Sequence, residues 1–424
     1  MNTTQLQFRI RIPRTRTHRL HRALLWTIAL LAPGIVTQSV QAAEKQNSVY
    51  TVLYTFTGGV DGGQPLAPLI RDSAGNLYGT AQSGGSFNFG VVFKVSPTGQ
   101  QTVLHHFTGK ADGGYPTAGL IQDAAGNLYG TTSGGGVRCI ASGTGCGVIF
   151  KLDPAGNETV LYRFTAGPDG AFPGGTLLRD NSGTLYGTAA QGGIAGACGG
   201  LGCGVVFEIS ATGQHRVLYT FTGGTDGGEP VGGVIRDSAG NFYGTASLGG
   251  ISGGCGIGCG VVFKLTPTGQ ESVLYTFQGG LDGGVPAAGL RRDQAGNLYG
   301  TTEYRGTSDW GVVFKLDPSG NETVLHSFTG GSDGATPRSD LIRDSVGNIY
   351  GTTVQGGSGC APFACVGVVF RLDTTGSLTV LHTFRGTDGS LPYAGLVGDQ
   401  GGNLYGTTSA GGAFGYGVVF KLVP

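Results

Sequence analysis

The chain has 424 residues, of which 85 are glycine and 17 proline; 39% are hydrophobic and 12% charged, with 26 basic and 26 acidic residues. Glycine and proline at that level point to disorder when no period is present, but this sequence has a period and ample apolar residues, so a folded chain with many tight turns is expected. Six of the arginines lie in the first 42 residues, and without them 20 basic residues face 26 acidic ones, for a net charge of −6. No basic cluster remains, which argues against a nucleic-acid or anionic-membrane partner.

The N-terminus runs from basic ("RIRIPRTRTHRLHR") through apolar ("ALLWTIALLAPGIV", Ala23 to Val36) to small ("VQA", Val40 to Ala42). That order is the order of a secretory signal. The apolar run of 14 residues contains Pro33 and Gly34, and it falls short of the roughly 20 residues of a membrane span. Residues 1–42 are therefore expected to be a removed signal, and residues 43–424 a single exported domain, secreted or periplasmic, with no membrane span.

Seven near-copies of one decapeptide follow, beginning with "RDSAGNLYGT" at Arg71. Their tyrosines are Tyr78, Tyr129, Tyr186, Tyr243, Tyr299, Tyr350 and Tyr405, in steps of 51 to 57 residues. A period near 50 suits a propeller blade. Each unit offers four short strands, A to D; in the first they are "LAPLIRD", "LYGTA", "GVVFKV" and "TVLHHF". The turns between them are rich in Gly, Pro, Asp and Asn. "GVVFKL" does not alternate between apolar and polar residues, which suits a sheet buried on both faces. The last unit stops after its C strand, while "VYTVLYTF" at Val49 to Phe56 reads as a D strand with no unit before it. The expected fold is all-β: a seven-bladed β-propeller of four-stranded antiparallel blades, closed by the N-terminal strand completing blade 7. The unit "GNLYGTT…GVVFKLDPSGNETVLHSF" resembles the tandem repeat of the bacterial GloVer, or choice-of-anchor, family over nearly all of residues 43–424. The resemblance implies export but brings no activity and no catalytic residues. Many members of that family carry a C-terminal anchor; a chain ending at Pro424 directly after a strand departs from this and is expected to be unanchored.

Eight cysteines form four close pairs, all between B and C strands: Cys139 with Cys146, Cys198 with Cys203, Cys255 with Cys259, and Cys360 with Cys365. The B–C loops that hold them are longer: Tyr to the Gly of "GVVF" spans 17 or 18 residues, against 12 in blades 1, 5 and 7. Paired cysteines in an exported chain read as disulfides within each loop. A metal reading is weaker, because the loops lack histidine and the pair spacings vary. In an A–B–C–D meander the B–C loops and the D–A links share one rim. An Asp recurs in every link, at 61, 112, 169, 226, 282, 333 and 388. A ring of carboxylates could suit calcium, yet one carboxylate per link fits a cap on a glycine-rich turn better. No metal and no cofactor are expected. Histidines alternate with tyrosine on the D strands and form no recognisable catalytic set.

Blade 5 breaks the repetition. Its B–C loop "TEYRGTSDWG" places Glu303, Tyr304, Arg305, Asp309 and Trp310 where other blades have small residues, and the next link brings Arg338 and Asp340. Both segments belong to the same rim. An exposed indole beside carboxylates and guanidiniums suits a polar ligand such as a sugar, with Trp310 at the centre; the alternative is drift of the repeat with a local salt bridge. The expectation is an exported, monomeric, non-enzymatic binding or scaffold protein for a glycan, an extracellular protein or another polar ligand. The rival is a carbohydrate-active enzyme, a polysaccharide lyase or glycoside hydrolase, using a pair among Glu303, Asp309 and Asp340.

Overall fold

Residues 48–139, 143–250, 255–358 and 366–424 are described in the computed structural model of the chain. The expected signal segment lies outside them. So does the fourth cysteine pair: Cys360 and Cys365 both fall in the segment 359–365, outside the described residues. The described residues form seven antiparallel sheets, six of four strands and one of five. Blade 1 consists of Ile70–Arg71, Leu77–Ala81, Val91–Val95 and Gln101–His106, each strand pairing with the next. In blade 3 a short extra strand, Ala171–Pro173, pairs with the far end of its B strand. Blade 7 is built from Val397–Gly398, Leu404–Thr408 and Val418–Val423, and its outer strand is Val49–Thr55 from the other end of the chain. Val49 pairs with Val423 and Thr55 with Val418. The ring is closed as the repeat predicts.

The C strands carry the densest run of buried apolar side chains. Val91, Val92, Phe93 and Val95 are fully buried, and only Lys94 between them is partly exposed. One face of the strand packs towards the preceding blade and the other towards the following one, so the apolar clusters lie at the seams between blades. At one seam Val92 of blade 1 packs with Phe107, Leu128 and Phe150. The Phe after each D strand meets the C-strand Phe of the next blade edge to face; Phe56 and Phe93 are 5.0 Å apart, Phe384 and Phe420 5.4 Å. Burying one such ring contributes about 1.5–3 kcal/mol, and the seams use it seven times.

The repeated decapeptide is the other half of the seam. Asp72 Oδ1 accepts from the Asn76 N–H at 2.8 Å, and Oδ2 accepts from Asn76 Nδ2 at 2.8 Å and from the Tyr78 hydroxyl at 3.1 Å. Burial opposes ionisation here, but these hydrogen bonds outweigh it and hold the Asp72 carboxyl below its usual range. Arg71 lies over the Tyr405 ring of the preceding blade at 5.7 Å, and Arg236 and Arg343 repeat the contact on Tyr186 and Tyr299. A Cβ on Gly79 would meet Leu69 and Phe93 at 2.7 Å, which requires glycine. Thr131 Oγ1 donates to the Pro173 carbonyl of the next blade at 3.0 Å, and Thr188 to that of Gly232 at 2.8 Å. Nearly every polar or glycine position of the motif thus caps the A–B turn or clasps a neighbouring blade.

One expected element is shorter than the sequence suggests. The A segment pairs with B over two residues only, Ile70–Arg71 in blade 1. Residues 66–68, just before it, follow the channel wall instead, where the main chain is claimed by the neighbouring blade: Thr407 Oγ1 reaches the carbonyls of Pro65 and Ala67, each at 3.4 Å.

Candidate functional site

Each D–A link is held by its own Asp. The Asp61 carboxylate accepts from the Thr57 N–H at 2.8 Å, from the Tyr54 hydroxyl at 2.8 Å and from the Thr57 hydroxyl. The same set recurs at Asp169 and Asp226, and His326 and His382 replace the tyrosine against Asp333 and Asp388 at 3.1 and 3.0 Å. This is the turn cap that the sequence favours over a calcium ligand, and it explains why Tyr and His alternate on the D strands: both reach the link carboxylate.

Four residues after the link Asp in blade 6, Pro337 fixes the chain. The residue before each link proline adopts positive φ, from 51° at Glu229 to 61° at Val285, with Thr336 at 58°. Such backbone is strained in a residue other than glycine. The compensation is a hydrogen bond across the seam: the Thr336 N–H donates to the Trp310 carbonyl at 3.0 Å, as Gln64 does to Tyr416 at 2.8 Å. The chain then runs along the channel and bends at Ser339. Ser339 is buried, and its Oγ accepts from the Thr352 N–H at 3.1 Å. Arg338 and Asp340, on either side of it, line the central cavity.

That cavity has a volume of about 480 Å³ and is walled by all seven A segments. Most of its lining is small: Ala118, Gly119, Gly175, Gly233, Ala288 and Gly395 are typical. Arg338, Asp340 and Tyr393 are the departures, with Thr117 and Thr176 adding hydroxyls. Asp340 Oδ1 accepts from the Gly289 N–H at 2.6 Å. Gly289 and Gly395 make room for it, since a Cβ on either would come within about 3 Å of Asp340. The side chain keeps partial exposure to the channel, but protein surrounds it; burial pushes its carboxyl pKa up, against the opposing pull of the Gly289 N–H. Arg338 Nε lies 3.0 Å from Glu303 Oε2, and its guanidinium sits over the Tyr393 ring at 5.6 Å. Glu303 is buried, 4% exposed, and also bonds the Tyr304 side chain. Its charge is answered by Arg338, while Asp340 is the one carboxylate among the cavity's lining residues.

The remaining candidates form a second group outside the channel. Arg305 Nη1 pairs with Asp309 Oδ1 at 3.3 Å. Together with Tyr304, Cys255 and Val285 they line a shallow cavity of about 350 Å³. Trp310 is half-buried, and its ring packs on the link: a Cβ on Gly330 would lie 2.4 Å from the indole nitrogen. The equivalent place holds Phe89 against Gly109 and Tyr416 against Gly58. In blade 3 it holds the Cys198–Cys203 disulfide against Gly223. Disulfides also join Cys139 to Cys146 and Cys255 to Cys259. Three of the four expected bridges are thus formed among the described residues. The fourth, from Cys360 to Cys365, stays an expectation of the sequence, because both cysteines lie outside those residues. The structure gathers Glu303, Arg338 and Asp340 towards the channel mouth and leaves Tyr304, Arg305, Asp309 and Trp310 on the rim. Sequence reasoning missed Tyr393; aligning the seven residues after the link proline (Leu66, Thr117, Gly174, Val231, Ala287, Arg338, Tyr393) exposes it as the one aromatic in that position.

No curated protein matches the sequence. Among solved structures, selenomethionine-substituted virginiamycin B lyase from Staphylococcus aureus is similar with a TM-score of 0.56 at 11% identity, over 89% of this chain and 99% of that one. The extracellular domain assigned to a one-component system of B. thetaiotaomicron gives a TM-score of 0.50 at 15% identity; the match covers 85% of this chain and 39% of that one. At such identities both likenesses concern the fold alone. The model of the Gloeobacter/Verrucomicrobia repeat matches residues 39–257 and 251–424. That covers the whole ring, and the chain belongs to the Gloeobacter/Verrucomicrobia repeat family.

Proposed function

We propose that this protein is an exported, non-enzymatic propeller that binds a polar ligand, such as the end of a glycan, at the channel mouth beside blades 5, 6 and 7. The observation that carries this reading is the break in sevenfold sameness where a ligand would enter. Five of the seven walls present small, apolar or hydroxyl side chains; blades 6 and 7 present Arg338, Asp340 and Tyr393. A guanidinium held by Glu303, a carboxyl and a phenol can together donate to and accept from hydroxyls, while the ring offers an apolar face. Export is supported by the basic, apolar and small order of residues 1–42 and by loop disulfides, which persist in oxidising compartments. Hydrolysis by paired carboxylates is the rival. It is less favoured because Glu303 is spent on Arg338 and the cavity lining presents Asp340 alone.

The test is a polysaccharide and oligosaccharide panel, scored for binding and for new reducing or unsaturated ends, with protein purified from residue 43 onward. A ligand found this way should bind at least about tenfold more weakly to Asp340→Asn, a loss of about 1.4 kcal/mol, and more weakly to Tyr393→Ala. A binder indifferent to both substitutions would move the site elsewhere. Product formation by the wild type would favour the enzyme.

A further inference from the structure

One position at the start of the outer strand, opposite the last buried residue of the C strand, recurs from blade to blade; in blade 6 it holds Leu378, opposite Leu372. Gln101 faces Val95, Glu158 faces Leu152, Glu271 faces Leu265, Glu322 faces Leu316 and Tyr50 faces Leu422. From this place the side chain reaches back to the link of the preceding blade. Gln101 Nε2 donates to the Asp61 carbonyl at 3.1 Å. The Tyr50 hydroxyl donates to the Asp388 carbonyl at 2.6 Å. His215 holds the place in blade 3, opposite Ile209, and stacks on Tyr162 at 4.3 Å, but its buried Nε2 has no hydrogen-bond partner. Two chemically different side chains thus do one job: Gln101 and Tyr50 each give a hydrogen to the main-chain carbonyl of the preceding link Asp.

Glutamate holds the place in blades 2, 4 and 5. Glu158, Glu271 and Glu322 each bury an Oε1 that has no hydrogen-bond partner. A buried oxygen without a donor is costly. An ionised carboxylate can only accept, whereas a carboxylic acid carries one O–H to give. We propose that these three glutamates work as neutral acids, each latching its blade to the carbonyl of the preceding link. Their deprotonation would loosen three of the seven seams, so the ring is a pH-sensitive assembly, tighter in mildly acidic surroundings than in alkaline ones.

The charges around the three sites agree. Burial, and then the link Asp of the preceding blade, push each carboxyl up to about 7: Asp112 beside Glu158, Asp226 beside Glu271 and Asp282 beside Glu322. Arg163, on the same strand as Glu158, opposes the rise there. From the preceding blade Tyr219 faces Glu271 and Tyr275 faces Glu322. By register His105, 3.8 Å from Asp112, is the corresponding neighbour of Glu158. A carboxyl pKa that is higher folded than unfolded adds stability that is complete below the unfolded value and lost as pH rises through about 7. The histidines act in the opposite sense. Burial lowers the pKa of His105, His215 and His382, so their share of stability falls as pH drops below the unfolded value. The wild-type profile mixes both.

The deciding experiment compares the wild type with the triple variant Glu158→Gln, Glu271→Gln, Glu322→Gln, since Gln101 already fills the place as a permanent donor. Thermal unfolding is measured from about pH 5 to pH 8, a window that spans the shifted carboxyls. The two proteins should melt together at the acidic end, and the variant should melt a few degrees higher at the alkaline end. A melting difference that does not change with pH overturns the proposal, as does a variant equally destabilised throughout. Should the triple variant fail to fold, carboxyl NMR of the wild type decides: the full sequence has seven glutamates, and Glu158, Glu271 and Glu322 should titrate well above the others. Ordinary acidic titration of all of them would sink the latch.

Discussion

Trp310 illustrates how a repeat can disguise a structural residue as a functional one. In the sequence it is the one tryptophan after the expected signal, surrounded by charges. In the fold its ring covers Gly330, where Phe89, Tyr416 and a disulfide cover the matching glycines of other links. Its carbonyl also takes the hydrogen bond of strained Thr336. The side chain therefore packs the link that delivers Arg338 and Asp340 to the channel. Trp310→Phe should be nearly neutral, because blade 1 already uses phenylalanine there. Trp310→Ala should cost about 1–3 kcal/mol in denaturant unfolding, less than the roughly 3–5 kcal/mol of a fully buried ring because the site is half-exposed. An alanine variant as stable as the wild type would show that the ring is not a packing element, and direct contact with a ligand would become the better account. The repeated Asp, Tyr and Thr are visible as a pattern in the sequence, but their partners are not. Asp72 bonds within its own turn, whereas Thr131 bonds a carbonyl 42 residues away, and a repeat carries no sign of which contacts are local.

At the scale of the element, the B–C loop is where the blades differ, and it has two solutions to one packing problem. Short loops cover the link glycine with an aromatic; blade 3 covers it with a cystine, and in blade 4 Cys255 and Cys259 lie against Gly284. Cysteine pairing is legible in the sequence because partners lie only 4 to 7 residues apart. The equivalence of cystine and aromatic is not, since it depends on both filling one space. The A strands come out shorter than their composition suggests for a related reason: "LAPLIRD" reads as a strand, but the neighbouring blade takes up its first carbonyls. Non-reducing peptide mapping should recover 139–146, 198–203 and 255–259, together with the expected bridge from Cys360 to Cys365, and no free thiol. Each bridge closes a short loop and contributes about 2 kcal/mol by the chain-entropy estimate, so reduction should raise hydrogen exchange in the rim loops before the B and C strands. Cross-linked peptides from different blades would contradict the loop-by-loop assignment.

At the scale of the whole molecule, blade 7 carries the integrity of the ring, because among the described residues it alone joins strands from the two ends of the chain in one sheet. The complementary ends make this closure readable in the sequence itself: a unit lacking D at one end, a lone D at the other. The structure adds the fastenings. Val49–Thr55 pairs along Val418–Val423, the Tyr50 hydroxyl holds the Asp388 carbonyl, and Tyr50 stacks on His382 at 3.8 Å. Phe56 is fully buried against Phe93, and the Gln64 N–H donates to the Tyr416 carbonyl at 2.8 Å. Removing residues 43–57 would therefore delete a strand, empty the space of three packed rings, Tyr50, Tyr54 and Phe56, and leave the edge of Val418–Val423 unpaired. An unpaired apolar edge is a template for association with other chains. The truncated protein should unfold at a markedly lower temperature and aggregate. Its ring should also accept the missing strand in trans, since an exposed sheet edge binds an extended peptide of matching side-chain pattern. Adding a synthetic peptide of residues 46–57 should then raise the melting temperature of the truncated protein progressively with its concentration, as linkage requires, while a scrambled peptide should not. If truncation leaves the melting temperature unchanged, the N-terminal strand does not close the ring in solution. If truncation destabilises but the peptide fails to bind, the seam forms only while the strand is covalently attached, and closure depends on the high effective concentration that the chain itself supplies.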